Sequence, residues 1–216
     1  MSLKRAIDVT AAIGILALLL PVLALVAVGI LLTMGGPLFF LQSRSGRNGA
    51  PFTLLKFRTM RELSDAHSRV LPDAARLTRF GRFVRESSLD ELPQLWNVLM
   101  GEMSLVGPRP LPPQYLDRYS EFQRRRLEVT PGITGWAQIH GRNTLAWEPR
   151  FVCDVWYVDN WSLMLDFRIL ARTVACVLKR EGIGANKHDT MAEFQGSPDA
   201  PAFGGTLKGE NDADIN

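Results

Sequence analysis

The chain has 216 residues, a net charge of +3 and two cysteines. This length is enough for one domain with its own hydrophobic core. Cys153 and Cys176 form neither a CxxC motif nor a Cys/His ligand pattern, which excludes a cysteine-ligated metal site and favours buried free thiols in a reducing compartment.

Charge is unevenly distributed along the chain. Residues 1–180 carry 23 Lys and Arg against 15 Asp and Glu, a net charge of +8, whereas residues 181–216 carry 2 against 7, a net charge of −5. Arg far outnumbers Lys in the basic part. Because a planar guanidinium binds phosphate oxygens in pairs, this composition suits phosphate ligands or anionic lipid headgroups; an ordinary solvated basic face is the alternative.

The first predicted element is a long apolar helix. Residues 9–43 contain no charged residue and no histidine. A helix that crosses a bilayer needs about 20 apolar residues, so this segment is long enough to enter a membrane. It is too long for the core of a signal peptide, and it continues directly into a basic domain.

Basic residues flank the apolar segment on both sides, with Lys4 and Arg5 before it and Arg44 and Arg47 after it. Basic flanks favour the cytoplasm, and a single crossing would leave one of them outside. Pro21 lies near the middle and removes a helical hydrogen bond, which predicts a kink. We therefore predict a re-entrant helix that returns to the cytoplasmic face, with an ordinary spanning helix as the alternative.

A β-hairpin is predicted after the apolar segment, which Gly35-Gly36-Pro37 ends. Residues 38–42 and 52–58 have the composition of short strands, and Gly46-Arg47-Asn48-Gly49 supplies the turn.

The remainder is predicted to be mainly helical. Residues 73–86 form a basic amphipathic helix, and Leu89–Met100 forms a second helix with Ser88 as its N-cap. Residues 185–216 lack an apolar period and are predicted to be a mostly disordered tail. Three further helices are predicted over residues 115–129, 147–158 and 163–180.

Two adjacent acids, Asp90 and Glu91, stand at the predicted start of a helix. Acids in a first turn are often ordinary helix-start residues, since the helix dipole stabilises them there. Adjacent carboxylates can also share a hard cation such as Mg²⁺, and an Asp can attack phosphorus as a nucleophile. The sequence leaves both interpretations open at this point.

Cationic residues surround this acid pair in the sequence: Lys56, Arg85, Arg109 and Arg142. Attack on a phosphate needs a nucleophile together with cationic groups for the transferred group and the leaving phosphate. Any single arginine here is more often an ordinary surface residue. Arg109 stands between two prolines, which restrict its backbone and make a defined role more plausible for it.

Six collinear stretches resemble the monotopic phosphoglycosyl transferases, also called bacterial sugar transferases. The resemblance covers residues 4–184 and is to the small members that consist of the catalytic unit alone. The matching stretches are Lys4-Arg5-Ala6-Ile7-Asp8, Lys56-Phe57-Arg58-Thr59-Met60, Ser88-Leu89-Asp90-Glu91-Leu92-Pro93-Gln94, Met103-Ser104-Leu105-Val106-Gly107-Pro108-Arg109-Pro110, Pro131-Gly132-Ile133-Thr134-Gly135-Trp136-Ala137-Gln138 and Gly141-Arg142-Asn143.

This resemblance implies a two-step, Mg²⁺-dependent reaction at the bacterial inner membrane, on the cytoplasmic face. Asp90 would capture a phosphosugar from a UDP-sugar with release of UMP, and undecaprenyl phosphate would then take it from Asp90. Glu91 would help to hold Mg²⁺, and the four cations above would contact phosphates. Asp166 matches an acid near the family's site, with a plain salt-bridge partner as its alternative. Pro21 matches the family's helix break, although Leu20 replaces the usual serine.

The predicted fold is α/β, mainly helical with a small β-hairpin, docked on the membrane by a re-entrant helix and interfacial amphipathic helices. The predicted divisions are a membrane helix (1–37), a catalytic domain (38–184) and a flexible tail (185–216). We expect membrane lipids but no nucleic acid as partners, and an oligomer is possible. The competing hypotheses are a non-catalytic membrane-anchored scaffold and a transferase that works by direct displacement.

Overall fold

The computed structural model describes residues 2–61, 73–141, 145–178 and 193–196. Helices predominate in these residues, and the strands form two small pairs. The α-helices are α1 (Leu3–Met34), α2 (Asp73–Arg76), α3 (Arg79–Glu86), α4 (Gln94–Met100), α5 (Glu121–Arg124), α6 (Trp136–Ile139), α7 (Trp147–Asp159) and α8 (Leu163–Leu178). The strands are β1 (Phe39–Ser45), β2 (Pro51–Phe57), β3 (Ser104–Val106) and β4 (Gly132–Thr134).

Helix α1 is one continuous run of 32 residues with Pro21 inside it. Among the described residues it is the one helix that is long and apolar enough to cross a membrane, by length and composition. Its buried side chains lie toward its two ends, at Asp8 near the start and at Val26 and Ile30 near the end, while residues 17–22 are mostly exposed. Both ends of α1 therefore pack against the rest of the protein.

Hydrogen bonds hold each end of α1 in place. Near its start, Asp8 Oδ2 accepts a hydrogen bond from Ser104 Oγ at 2.8 Å. At its end, Arg58 Nη2 donates to the carbonyl of Met34 at 2.9 Å and also to that of Gly35. Arg58 thereby satisfies carbonyls that have no partner within the helix, and its positive charge suits the negative end of the helix dipole.

The predicted hairpin is confirmed, although β1 continues three residues beyond its predicted end and β2 begins and ends one residue earlier than predicted. β1 and β2 pair antiparallel from Phe39 opposite Phe57 to Ser45 opposite Pro51. Between them, Asn48 adopts a left-handed backbone conformation (φ 56°), which asparagine tolerates better than most residues. The hairpin carries Lys56 toward the acid pair, as described below.

The predicted helix over residues 73–86 is instead two helices, α2 and α3. Leu77 interrupts the run by forming an isolated antiparallel bridge with Met60. The side chain of Thr78 then starts α3, because its Oγ1 accepts a hydrogen bond from the Gly81 backbone N–H at 2.9 Å. Leu77 and Val84, on the apolar face of this region, are both buried.

The predicted helix over residues 115–129 is also broken into shorter turns. A 3₁₀ segment over Pro113–Arg118 precedes α5, and another 3₁₀ turn follows it. The break falls at Ser120, which forms a reciprocal capping box with Gln123 and so begins a new helix. A further difference is the parallel pairing of β3 with β4, because the only strands that the sequence predicted are those of the hairpin.

The predicted tail, residues 185–216, is described only at 193–196. This part packs against the domain: the Phe194 side chain is 2% exposed and lies among four aromatic rings. Because no apolar period surrounds Phe194, the sequence pattern did not indicate this docking. We call the four rings the aromatic socket: Tyr115, Tyr119, Trp147 and Phe151.

The main hydrophobic core joins the first half of α1 to the domain. It is made by side chains from α1, β2, α4, β3, α7 and α8, and it places the start of α1 beside the motif-bearing segments. Its fully buried members include Ala12, Val98, Met103, Val106, Tyr157 and Ile169.

Candidate active site

The two acids occupy a tight turn between α3 and α4. Residues Leu89–Glu91 form a 3₁₀ turn, and Asp90 is buried with 8% of its surface exposed. Ser88 precedes the turn in a left-handed conformation (φ 58°) and its side chain makes no capping hydrogen bond, so its predicted role as an N-cap is wrong. Ser88 instead lies in the turn that joins α3 to this 3₁₀ segment.

Glu91 is clamped by two cations from distant parts of the chain. Lys56 Nζ, from β2, donates to Glu91 Oε1 at 2.8 Å. Arg109 Nη2 donates to the same oxygen at 2.5 Å, and its Nη1 lies 3.5 Å from Glu91 Oε2. Charge-assisted hydrogen bonds of this kind are the stronger ones in proteins, and the two-pronged contact of Arg109 also fixes orientation.

The electrostatic environment shifts the pKa values of the two acids in opposite directions. Burial raises the pKa of Asp90 to about 6, with a further contribution from the negative charge of Glu91, against the opposing effects of Lys56, Arg85 and Arg109. Burial also acts to raise the pKa of Glu91, but Arg109 and Lys56 outweigh it and hold that pKa well below its usual range. Glu91 is therefore the permanently ionised member of the pair.

Arg85 approaches the acid pair from the end of α3. Its Nη2 donates to Thr59 Oγ1 at 3.1 Å, and its charge lowers the pKa of Asp90. The helix lies unusually close to the backbone at residue 59, because a Cβ atom at Gly81 would stand 1.9 Å from the Thr59 carbonyl oxygen. Glycine at this position permits the approach that brings Arg85 within electrostatic reach of the buried acid.

A buried acid beside a clamped acid, with Lys and Arg around both, is the arrangement expected of a phosphate-handling site. Residues 1–180 match the family described as bacterial sugar transferases. The chain belongs to this family. The resemblance stated from the six motifs is thereby confirmed.

Three similar proteins show how much of this chain is shared with relatives. A Bacillus subtilis (strain 168) protein named uncharacterized sugar transferase EpsL is 54% identical over 199 residues, covering 92% of this chain and 98% of the relative. A Komagataeibacter xylinus protein named undecaprenyl-phosphate glucose phosphotransferase is 45% identical over 197 residues, covering 85% of this chain and 36% of the relative. An Erwinia amylovora protein named UDP-galactose-lipid carrier transferase is 43% identical, covering 83% and 41% respectively.

This chain thus covers nearly the whole length of the Bacillus relative but less than half of the length of the other two. These two relatives, whose names specify a sugar, therefore contain long additional regions. The shared part includes the segment that carries the acid pair and its cations, since the family match runs from residue 1 to residue 180.

One predicted site residue, Asp166, has its described polar contacts away from the acid pair. Asp166 accepts hydrogen bonds from Lys4 Nζ (2.6 Å), Tyr157 OH (2.6 Å) and Trp161 Nε1 (3.1 Å), which is the salt-bridge role that the sequence left open. Its position ties α8 to the start of α1. Arg142 lies outside the described residues, and its role stays a prediction.

Two contributors to the site were not recognised from the sequence. Asn97 of α4 clamps the edge of β2, accepting from the Leu55 N–H at 3.1 Å and donating to the Thr53 carbonyl at 2.7 Å, so that it sets the position of the neighbouring Lys56. Arg44, which the sequence marks only as a basic flank, is the second contributor: burial and the charge of Arg109 lower its pKa to about 10. Asn97 lies three residues beyond Gln94, the last residue of the motif that carries the acid pair.

The donor set at the acid pair is compatible with Mg²⁺ but small. Mg²⁺ is commonly held by one or two carboxylates together with substrate phosphates and water, and Asp90 with Glu91 supplies two carboxylates. Glu91 Oε2 is the less engaged oxygen, since both cations lie closest to Oε1. Over residues 2–61, 73–141, 145–178 and 193–196, no group of three or more His, Cys, Asp or Glu is gathered for a metal.

Proposed function

We propose that this protein transfers a sugar-1-phosphate from a UDP-sugar to undecaprenyl phosphate, giving undecaprenyl-diphospho-sugar and UMP. The observation that carries the proposal is the pairing of a buried Asp90, whose side chain makes no hydrogen bond or ion pair with the described residues, with a Glu91 held by Lys56 and Arg109, in a member of the bacterial sugar transferase family. The names of the relatives from Komagataeibacter xylinus and Erwinia amylovora supply the lipid acceptor and the UDP-sugar donor class.

In the first step the Asp90 carboxylate attacks the phosphorus that carries the sugar. A new bond forms between the carboxylate oxygen and this phosphorus, the phosphoanhydride bond breaks, and UMP leaves with the bonding electrons. Lys56 and Arg109 keep Glu91 charged and fixed in position. Because no described side chain holds Asp90 in this way, Asp90 is the acid that can act as the nucleophile. The guanidinium of Arg85, near Asp90, is placed to counter negative charge that develops on phosphate oxygens.

In the second step a phosphate oxygen of undecaprenyl phosphate attacks the same phosphorus. The aspartyl oxygen–phosphorus bond breaks, the lipid diphosphosugar departs and the Asp90 carboxylate is restored. One phosphoanhydride is broken and one is formed, so no further energy source is needed. Mg²⁺, held by Asp90 and Glu91 with the substrate phosphates, would neutralise phosphate oxygens when bound.

The membrane placement is part of the proposal: α1 enters the inner membrane from the cytoplasmic face and returns to it. The packing of both its ends against the rest of the protein supports this arrangement, since a straight crossing would separate those ends by the bilayer. The exposed apolar middle, which includes Pro21, would then lie in lipid. This arrangement brings a lipid acceptor and a soluble donor to one site.

The decisive experiment uses the full chain in lipid nanodiscs with undecaprenyl phosphate and Mg²⁺. Release of UMP is measured across a panel of UDP-sugars that includes UDP-glucose, UDP-galactose and UDP-N-acetylated amino sugars. A donor labelled in the phosphate attached to the sugar is then added without lipid, and the label on the protein is located by peptide mass spectrometry. Asp90→Asn is compared with Asp159→Asn, which changes an exposed acid of a surface ion pair.

We expect UMP release with at least one donor, label on the peptide that contains Asp90, and loss of both in Asp90→Asn but not in Asp159→Asn. Turnover that survives in Asp90→Asn would rule out Asp90 as the nucleophile. Turnover without any protein-bound label would favour direct displacement by the lipid. No turnover with any donor, together with intact membrane association, would leave the non-catalytic scaffold.

A further inference from the structure

Arg126 is a fully buried arginine that the proposed chemistry does not use. Its side chain is 2% exposed, as is that of its ionic partner Asp154. Arg126 Nε donates to Asp154 Oδ2 at 3.0 Å and Nη2 lies 2.9 Å from the same oxygen. A buried pair of this kind is weak evidence for stability by itself, because desolvation offsets much of the attraction. Its remaining contacts indicate a more specific role.

The remaining hydrogen bonds of Arg126 lead toward the candidate active site. Nη2 donates to the backbone carbonyl of Arg109 at 2.6 Å, and Nη1 donates to Tyr119 OH at 3.3 Å. Arg109 is the residue whose guanidinium clamps Glu91. One buried arginine therefore holds the backbone of another arginine that acts on the acid pair.

In the loop around Arg109, three successive backbone carbonyls each accept a hydrogen bond. The carbonyl of Pro108 accepts from the Gly132 N–H at 3.0 Å, and that of Pro110 accepts from Arg44 Nη1 at 3.3 Å. The Arg109 carbonyl, between them, is held by Arg126. Three successive carbonyls are thus anchored by three separate elements, and the two prolines limit any other path of the backbone.

Two rings of the aromatic socket lie against the Arg126 guanidinium, and Phe194 packs on both. The Arg126 guanidinium carbon lies 5.8 Å from the ring centre of Tyr119 and 5.7 Å from that of Phe151, distances typical of cation–π contacts. The Phe194 ring packs on both, at 6.0 Å from Tyr119 and 5.0 Å from Phe151. The C-terminal segment therefore covers the rings that hold Arg126.

Polar contacts fix the position of Phe194 in the socket. Its backbone N–H donates to Tyr115 OH at 3.2 Å, and its carbonyl accepts from Arg118. The preceding Glu193 pairs with the same Arg118 at 2.9 Å and with Gln114 at 3.0 Å. A segment held by this many directed contacts is part of the folded domain.

We propose that Arg126 is a positioning residue for Arg109, and that Phe194 from the C-terminal segment completes the enclosure that holds Arg126 in place. This inference rests on the proposed function, because the effect on rate is transmitted through the Arg109–Glu91 contact. Arg126 touches neither acid: it acts by setting the backbone from which the Arg109 side chain reaches Glu91.

The first test is a double-mutant cycle on the full chain in nanodiscs. Arg126→Met is combined with Asp154→Leu, so that neither charge is left buried alone. The rate of phosphosugar capture on Asp90 is expected to fall about 10- to 100-fold, the loss typical of a hydrogen bond that involves a charged group. In an Arg109→Ala background the same pair of changes should lower the rate less than about threefold, because residues that act through one another are not additive.

Phe194→Ala should lower the rate of phosphosugar capture by a smaller factor, and this loss should also shrink in the Arg109→Ala background. Phe194→Leu should restore part of the rate by refilling the socket.

Two matched controls separate an effect on positioning from an effect on stability. Arg125→Met with Asp159→Leu removes the neighbouring exposed ion pair, and Ile169→Ala opens a cavity at an equally buried site in the main core. Rate losses at 126 and 154 that simply multiply with the Arg109→Ala loss would overturn the inference.

A second measurement needs no catalytic activity. An arginine-selective dicarbonyl reagent is applied to the protein and modification at each arginine is followed by peptide mass spectrometry. Arg109 should react several times faster in the variant with Arg126→Met and Asp154→Leu, while Arg85 should be unchanged. Unaltered reactivity of Arg109 would refute the positioning role even if turnover were lost, whereas a wild type without phosphosugar capture would refute the proposed function alone.

Discussion

The carboxyl groups of Asp90 and Glu91 are adjacent in the chain, yet their pKa values are shifted in opposite directions. Burial and the negative charge of Glu91 raise the pKa of Asp90 to about 6. Glu91, although also penalised by burial, is held below its usual pKa range by Arg109 and Lys56. Pairs of acids whose environments separate their pKa values are typical of sites where the two have different roles.

The first prediction concerns pH. The nucleophile must be ionised, and Asp90 ionises near pH 6 instead of near its ordinary value of 3.8. The rate of phosphosugar capture should therefore rise as the pH increases through about 6 and level off above about 7. Quenched single-turnover measurements from pH 5 to pH 8, extrapolated to low Mg²⁺ because a bound cation favours the carboxylate and lowers the pKa of Asp90, check this; a rate that stays constant down to pH 5 at low Mg²⁺ would contradict it.

The second prediction is that Asp90→Asn stabilises the protein. Because the folded-state pKa of Asp90 is raised, ionisation of the wild type above pH 6 opposes folding, at a cost on the order of 1–3 kcal/mol. The melting temperature of Asp90→Asn should exceed that of the wild type by about 2–10 °C at pH 8 in EDTA. The difference should shrink as the pH falls below 6 and disappear below 3.8. Asp159→Asn, at an exposed ion pair, should show no such gain.

The third prediction concerns the clamp on Glu91. Arg109→Lys keeps the charge but loses the two-pronged contact, since a lysine ammonium is a point charge on a flexible stem. We expect kcat/KM for UMP release to fall about 10- to 100-fold, corresponding to the loss of a charge-assisted hydrogen bond. Arg125→Lys, in the exposed pair with Asp159, serves as the control. Equal activity of the two variants would show that the geometry of the clamp is unimportant.

The fourth prediction concerns the start of α1. Asp8 accepts hydrogen bonds from Ser104 Oγ at 2.8 Å and from the Leu105 N–H at 3.2 Å, and all three groups are buried. Asp8→Ala should lower the free energy of unfolding by about 1–3 kcal/mol, because two buried donors lose their acceptor. Thr10→Ala, on the exposed side of the same helix, should have little effect. Thermal unfolding in nanodiscs measures both, and co-sedimentation with membranes should be retained.

The fifth prediction tests the course of α1 through the membrane. Leu3 and Ala50 are exposed positions before and after the apolar segment. In a background with Cys153 and Cys176 replaced by Ala, Leu3→Cys and Ala50→Cys should both react with a membrane-impermeant thiol reagent only from the cytoplasmic side. Reaction from opposite sides would mean that α1 spans the bilayer.

The hairpin and the long apolar helix could be predicted from the sequence because both depend on residues that are close together in the chain. The turn over Gly46–Gly49 flanked by apolar runs indicated the hairpin, and the run of residues 9–43 without charge indicated a long apolar helix. The broken helices were missed because competing local contacts interrupt a helical period: Leu77 pairs with Met60, and Ser120 caps a new turn. Such contacts are invisible to a count of apolar spacing.

By itself the sequence determined the family, the identity of the acid pair and the presence of an apolar segment, since each is encoded in contiguous residues. Which cation contacts which acid depends on packing between segments that are far apart in the chain. Lys56 and Arg109 reach Glu91 across 35 and 18 positions, and Lys4 takes Asp166 across 162. Burial, which separates the pKa values of the two acids, arises when distant segments pack together. For the same reason the docking of Phe194 could be seen only once its socket was assembled.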